Sequence, residues 1–319
     1  MKFTIRHLFV ALVGLPILAS AADSPSDLLA AGRVDEAIST LNGKISSAPN
    51  DAVSYNFLCR AHLAVGKWDH AISACEKAVS LDQNNSEYHL WLGRAYGDKA
   101  DGTNFFAAAG LAKKVRTEFE RAVALDPNNA IARTDLAEFY LEAPGIVGGG
   151  QDKARAQADA LLKLNPVKSH WVLGRLAEKH KDNVTAEKEY RAAIEAGNGS
   201  ANAWLNLAGF YRKVGRFDEM LDALQHAAAA PMDQPEVLVD AASTLIRANR
   251  NLPFASQLLR RYLSSTTVEE APPFKAHYML GTILEKQGDK QGAAKEYQTA
   301  LAMARDFGRA REALDRVNR

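Results

Sequence analysis

Residues 52–85, AVSYNFLCRAHLAVGKWDHAISACEKAVSLDQNN, contain two helical runs on either side of a break at Val65-Gly66-Lys67. Apolar or small residues recur in both runs at steps of three and four, which places each set on one face of a helix. These positions are Tyr55, Leu58, Cys59 and His62 in the first run, and Ala71, Ile72, Cys75, Ala78, Val79 and Leu81 in the second. A polar turn at residues 82–85 ends the pattern. The stretch therefore predicts a helix–turn–helix unit of about 34 residues.

The same unit returns along most of the chain. A partial unit covers residues 23–50, and fuller units begin near residues 52, 86, 130, 167, 201, 236 and 274. We therefore expect an array over residues 51–304, because stacked helix pairs bury a shared core that one pair cannot bury alone. Residues 305–319 predict a charged amphipathic helix, the polar cap that the end of such an array needs for solubility.

Small residues, an aromatic residue and a terminal Asp-Pro or Asn-Pro recur in register between units. Examples are Asp126-Pro127, Asn165-Pro166, Trp204, Gly215 and Phe217. In these features the chain resembles the tetratricopeptide repeat family over about residues 26–304. The resemblance implies an all-α, right-handed superhelical solenoid of about fifteen to seventeen helices, a fold that serves as a scaffold in many unrelated processes.

Two insertions, near residues 97–115 and 142–153, separate the helices of the third and fourth units. Residues 103–121 predict a long helix capped by Thr103 or Asn104. Its apolar face would contain Phe105, Phe106, Leu111, Val115 and Phe119. The second insertion, APGIVGGG, predicts a loop because proline and three glycines cannot continue a helix. The insertions either pack on their neighbours or form a binding edge, and we favour packing because Phe105 and Phe106 would otherwise be exposed.

Residues 1–22 have the three parts of a secretory signal peptide. Lys2 and Arg6 precede an apolar run at residues 8–18, and small residues at 19–22 precede Asp23. The apolar run is short for a membrane span, so we expect cleavage after Ala21 or Ala22, with an uncleaved anchor as the alternative. The sequence thus predicts a periplasmic or secreted protein that has no integral membrane segment after cleavage.

The charge balance gives no reason to expect nucleic acid as a partner. The formal net charge of the full chain is +1, and loss of Lys2 and Arg6 with the signal peptide leaves −1. Nucleic-acid binding depends on clustered cations that neutralise phosphates, and the mature chain has no basic run.

The chain contains two cysteines, Cys59 and Cys75, one on each helix of the unit at residues 52–85. In an oxidising compartment they could form a disulfide, whose short loop would stabilise the fold by about 3 kcal/mol. Alternatively they are two small buried hydrophobic residues. Spacing alone does not fix the distance between their Cβ atoms, so both interpretations stay open.

The sequence predicts neither enzyme activity nor a metal or cofactor site. It contains no phosphate-binding glycine loop, zinc-protease motif or nucleophile elbow. His89, His170 and His277 share the fourth position of three different units, so they form a ladder, whereas metal ligands must converge on one point. The acidic residues are more simply explained as charges on solvated helix faces than as a catalytic acid–base pair.

The family resemblance implies that the first helix of each unit lines a concave groove. The groove residues that we select for binding a protein or peptide partner are Asn56, Arg60, Arg94, Glu138, Trp171, Arg175, Arg212 and Tyr278. Arg60, Arg94 and Arg175 share one position in three units, and guanidinium groups capture carboxylates well. The alternative is that these arginines pair with nearby acids on an ordinary solvated face.

These features favour a non-catalytic interaction scaffold or assembly factor of the bacterial cell envelope, which binds a peptide segment in the groove. The alternative is a structural subunit of a larger export, secretion or assembly complex that uses its convex face or insertion edge.

Overall fold

The structure is a computed structural model that describes residues 23–231 and 234–319, and the predicted signal peptide at residues 1–22 lies outside them. The described residues form helices with no strand, as the repeat pattern predicts. The helices are α1 (Pro25–Ala30), α2 (Val34–Ser47), α3 (Ala52–Ala64), α4 (Trp68–Leu81), α5 (Ser86–Asp101), α6 (Phe105–Leu125), α7 (Ala130–Glu142), α8 (Gln151–Leu164), α9 (Pro166–Lys179), α10 (Asn183–Ala196), α11 (Ala201–Lys213), α12 (Phe217–Ala229), α13 (Glu236–Ala248), α14 (Leu252–Leu263), α15 (Pro273–Lys286), α16 (Lys290–Met303) and α17 (Gly308–Val317). Across residues 23–231 and 234–319, no helix is both long enough and apolar enough to cross a bilayer.

The helices up to α16 form eight consecutive pairs, each joined by a short break. Within a pair the two helices pack on each other, and the first helix also packs on the first helix of the next pair. In four breaks a glycine with positive φ lies two residues after the first helix ends, at Gly32, Gly66, Gly215 and Gly288, and Gly148 lies in a fifth break, between α7 and α8. A left-handed residue ends a helix without steric cost only when it is glycine, so the first four of these glycines fix where α1, α3, α11 and α15 stop. The first helices form the inner face of the solenoid and the second helices form its outer face.

Close packing within three pairs depends on a glycine in the first helix. A Cβ at Gly93, Gly174 or Gly281 would lie 2.5, 2.9 or 2.4 Å from the aromatic ring of Phe119, Tyr190 or Tyr297 in the second helix. The small residues that recur in the sequence therefore let an aromatic ring lie directly on a neighbouring backbone.

Replacing Gly281 with alanine should lower the free energy of unfolding by about 2 kcal/mol, because overpacking a tight core usually costs 1–3 kcal/mol. Tyr297 cannot move away, since it is fully buried and its hydroxyl donates to Glu285 at 2.8 Å. Gly209 is the matched control, because it lies within α11 and a Cβ there meets nothing within 4 Å. Gly209→Ala should stabilise the protein by about 0.5–1 kcal/mol in the same urea titration. Equal effects of the two substitutions would contradict this account.

The two ends of the array contact each other along what we call the seam, where α1–α3 meet α15–α17. A buried apolar cluster crosses the seam and includes Leu28, Leu29, Val65, Phe274 and Phe307. A Cβ at Gly32 would lie 3.1 Å from Pro273, which shows how closely the two ends approach.

Ion pairs also cross the seam. Arg60 donates two hydrogen bonds to Glu269 at 2.7 and 2.5 Å, and Asp35 lies 3.4 Å from Arg305. The predicted terminal cap is therefore not a free end, because Phe307 and the start of α17 lie against the first repeats. The seam closes the solenoid into a ring, and the inner face encloses a lumen.

The first insertion forms the start of α6. Asn104 caps this helix and accepts a hydrogen bond from Ala107 N at 3.2 Å, which identifies the cap among the two candidates. Val115 and Phe119 are buried, but Phe105 and Phe106 are 76% and 87% exposed. The expectation that these two phenylalanines pack on a neighbour is wrong, because the first turns of α6 extend beyond the helices beside them.

Cys59 and Cys75 form a disulfide that joins α3 to α4, with their Cα atoms 5.2 Å apart. Both residues are at most 1% exposed. The bond therefore links the two helices of the second pair inside the core and beside the seam.

Candidate binding groove

The arginines that share one repeat position on the inner face, which we call the ladder arginines, are paired with the chain's own acids. They are Arg60, Arg94 and Arg175. Arg94 donates to Asp135 on the next first helix at 2.7 Å. Arg175 contacts Glu142 at 2.5 Å and Glu138 at 3.4 Å. Arg60 forms the bidentate contact with Glu269 across the seam. A partner carboxylate would have to displace these acids, so the ladder is poorly suited to capture one.

The same arginines lie over aromatic rings. The guanidinium carbons of Arg60 and Arg94 lie 4.8 and 4.7 Å from the ring centroid of Trp91. Arg175 lies 5.3 Å from the ring centroid of Trp171. Stacking and pairing together fix these side chains, and the alternative of internal pairing describes them best.

Three other selected residues differ in how far the structure buries them. Asn56 is only 4% exposed, so the expectation that it contacts a partner is wrong for this structure. Tyr278 packs on Tyr297 and Phe307, with ring centroids 5.8 and 5.4 Å apart, and belongs to the seam. Arg212 is half-buried near the end of α11.

The structure brings Glu138 and Trp171 together in a cavity of about 390 Å³ on the inner face, which we call the amide pocket. Its walls come from α7, α9 and α11 and from the segment before α13. The lining residues are Thr134, Glu138, Asn165, Val167, Lys168, Trp171, Ser200, Asn202, Asn206 and Gln234. Four side-chain amides, two hydroxyls and one indole supply both donors and acceptors around a flat apolar surface.

Local geometry fixes several of these side chains. Asn165 caps α9 by accepting a hydrogen bond from Lys168 N at 3.1 Å, which sets the start of the helix that carries Trp171. Asn202 donates to Gln234, which connects α11 to the segment before α13. The pocket is therefore held by contacts between neighbouring repeats.

Lys168 supplies the cation of the amide pocket. Desolvation by the surrounding protein lowers the pKa of Lys168. The nearby charge of Asp135 raises this pKa in part, and the charge of Arg94 lowers it. Among the residues that the structure describes, no carboxylate lies within hydrogen-bond distance of its Nζ. An incoming carboxylate would restore the interactions that Lys168 loses by desolvation.

Charged groups elsewhere in the lumen shift each other's pKa values by electrostatic interaction. Desolvation lowers the pKa of Lys275 on α15, while the charges of Asp98 and Asp240 act in the opposite direction. Desolvation also raises the pKa of Asp98 on α5 and of Asp240 on α13. Water reaches both carboxylates, but the surrounding protein limits their hydration. Asp98 and Lys275 line a second cavity of about 550 Å³ at the seam.

Sequence reasoning missed most of the amide pocket. Glu138 and Trp171 are selected from the sequence, but Lys168, Asn202 and Asn206 are not. Lys168 lies three residues before Trp171, so it shares a helical face with a selected residue. That spacing is the signal that could have identified Lys168.

The ladder histidines are structural partners of glutamates. Nδ1 of His89, His170 and His277 lies 2.6, 2.8 and 2.7 Å from a glutamate on the second helix of the same pair. For His89 this hydrogen bond to Glu118 raises the pKa of the imidazole. Within residues 23–231 and 234–319, no three acidic, histidine or cysteine side chains converge in a metal-binding arrangement.

Family comparison gives four matches, all to models described as "Tetratricopeptide repeat". They cover residues 28–96, 149–201, 203–238 and 274–307 and together span more than half of the chain. The matches fall within the helical array described above, and the unmatched residues 97–148 contain the first insertion and most of the second.

Two curated proteins are similar over part of the chain. Cellulose synthase operon protein C of Xanthomonas axonopodis pv. citri (strain 306) is 28% identical over 207 residues, which is 62% of this chain and 13% of that protein. Cytochrome c-type biogenesis protein CycH of Bradyrhizobium diazoefficiens is 24% identical over 179 residues, which is 51% of this chain and 45% of that protein. The chain thus spans less than half the length of either relative.

Among solved structures, yeast Tom70 has the same fold. Its crystal structure superposes with a TM-score of 0.55 at 16% identity and covers 89% of this chain and 58% of that one.

Proposed function

Because the chain belongs to the tetratricopeptide repeat family, we propose that it is a non-catalytic scaffold or assembly factor that binds a peptide segment on its inner face. The observation that carries this proposal is the amide pocket. Asparagine and glutamine side chains can bond both the N–H and the C=O groups of an extended peptide. Trp171 offers an apolar anchor, and Lys168 offers a charge for a carboxylate.

We also propose that the protein works in the bacterial cell envelope. The predicted signal peptide supports export, and the disulfide supports it independently, because disulfides persist mainly in oxidising compartments. The names of the two relatives, a cytochrome biogenesis protein and a cellulose synthase operon protein, support a role in assembling other components.

The test begins with a dodecapeptide phage library selected on the purified chain. The enriched peptide is then labelled and titrated by fluorescence anisotropy. Trp171→Ala should raise its dissociation constant about 30-fold, since a central aromatic anchor contributes about 2 kcal/mol. Lys168→Glu should raise it at least about tenfold if the peptide carries an acid.

Lys188→Glu makes the same charge change on α10 of the outer face, where Lys188 is exposed, and should leave binding unchanged. The pocket is not the peptide site if no peptide is enriched, or if the enriched peptide binds the Trp171 and Lys168 variants with parental affinity.

Exposure of Phe105 and Phe106 favours a second candidate function, that of a structural subunit in a larger envelope complex. Such a subunit would co-purify stoichiometrically with its neighbours through a large apolar interface. Substituting Phe105 or Phe106 would then release it, whereas Trp171→Ala would not.

A further inference from the structure

One edge of the ring has an apolar surface that the peptide-binding proposal does not use. Phe105, Phe106 and Ile146 are 76%, 87% and 85% exposed. Phe105 and Ile146 also line a groove of about 340 Å³ between the end of α5, the start of α6 and the loop after α7. We call these three side chains and the groove the edge patch. Large exposed apolar side chains that cluster in this way mark an interaction surface.

The edge patch contains both a projection and a recess. Phe106 projects, with its ring held edge-on against Phe105 at a centroid distance of 5.8 Å. The recess is lined mainly by small or apolar residues, namely Gly97, Ala100, Ala108, Ala109, Ala112, Val115, Phe139, Ala143, Pro144 and Val147. A cavity of about 150 Å³ with apolar walls can hold a benzene molecule, so this groove is large enough for a phenyl ring.

We propose that two copies of the chain associate through the edge patch about a two-fold axis, with Phe106 of each copy in the groove of the other. A two-fold interface uses the same surface on both copies, so it must carry a projection and a matching recess together. The edge patch meets this requirement, because Phe106 projects from the same turns of α6 that line one wall of the groove. The inference is independent of the peptide-binding proposal.

Charge is also complementary within the patch. The exposed side of α6 carries Lys113 and Lys114, and residues 105–117 contain no acid. The groove side carries Asp101, whereas the second acid of the groove, Glu142, is already paired with Arg175 and Lys179. A two-fold axis would place the basic part of one copy opposite the acidic part of the other.

The area of the patch predicts a reversible dimer. Burying Phe105, Phe106 and Ile146 would remove roughly 500 Å² per copy from solvent. This is less than the roughly 800 Å² per partner of a standard interface, so we expect dissociation at roughly micromolar concentrations. A lipid surface fits the patch less well, because a bilayer offers no projection to fill the groove and would meet the exposed carboxylate of Asp101.

The experiment is sedimentation velocity of the purified chain across roughly 1–300 µM, the range in which an interface of this size dissociates. The parent should shift from monomer to dimer. Phe106→Asp, which removes the projection, should raise the dimer dissociation constant at least about tenfold. Ala109→Trp, which fills the recess while keeping Phe106, should have the same effect.

Val184→Asp is the matched control, because Val184 is 83% exposed on α10 and away from the patch. It should dimerise like the parent, and the circular dichroism of all variants should stay helical. A parent that remains monomeric throughout, or a Phe106→Asp variant that dimerises like the parent, would overturn the proposal. Phe106-dependent sedimentation of a monomeric parent with phosphatidylglycerol vesicles would also overturn it, in favour of a membrane surface.

Discussion

Replacing Phe274 with alanine should open the ring while most of the repeats stay folded. Phe274 is fully buried in the seam cluster, and its ring lies 5.0 Å from that of Phe307. Removing a buried phenyl ring usually costs 3–5 kcal/mol. Repeat arrays are held mainly by contacts between neighbours, so this loss should separate the two ends without unfolding the middle. Small-angle scattering should show a larger radius of gyration, and hydrogen exchange should accelerate in α1–α3 and α15–α17.

Phe210→Ala is the control for this experiment. Phe210 is 1% exposed and packs on Tyr190 and Tyr211 within the middle of the array. Its substitution should cost a similar free energy of unfolding but leave the radius of gyration unchanged below the unfolding transition. If both variants scatter alike, then the seam does not hold the ring closed.

The seam could not be predicted from the sequence, although the repeat pattern predicted the helices. Periodicity of three and four residues reports which face of a helix is buried, and this is information about near neighbours. Ring closure depends on small rotations that add up over eight helix pairs. The bond from Arg60 to Glu269 joins residues 209 positions apart, and no local pattern points from one to the other.

The binding groove was predicted in outline only, for a related reason. The family pattern indicated the inner face, and Trp171 and Glu138 do lie in the amide pocket. Whether an arginine on that face is free depends on an acid in another repeat, such as Asp135 for Arg94. Phe105 and Phe106 were expected to be covered but are exposed, because the start of α6 extends beyond its neighbours. Predicting either result requires the relative positions of the repeats, which the sequence pattern does not give.

Reducing the disulfide between Cys59 and Cys75 should lower the free energy of unfolding of the second helix pair by about 3 kcal/mol. The two cysteines are 16 residues apart, and the chain entropy lost on closing a loop of that size corresponds to about this value. A urea titration with and without a phosphine reductant measures the shift. The Cys59→Ala/Cys75→Ala double variant is the control, because reductant should not change its midpoint.

The effect of reduction should extend to the ring. α3 carries Cys59 and also Arg60 and Ala61, and Val65 follows directly after it; these last three residues belong to the seam. Loosening α3 should therefore weaken the contact with Glu269 and with the apolar cluster. We expect reduced protein to exchange amide hydrogens faster in α3, α4 and α15, while α9–α12 exchange at the parental rate. Faster exchange confined to α3 and α4 would show instead that the disulfide stabilises its own helix pair and that the seam closes without it.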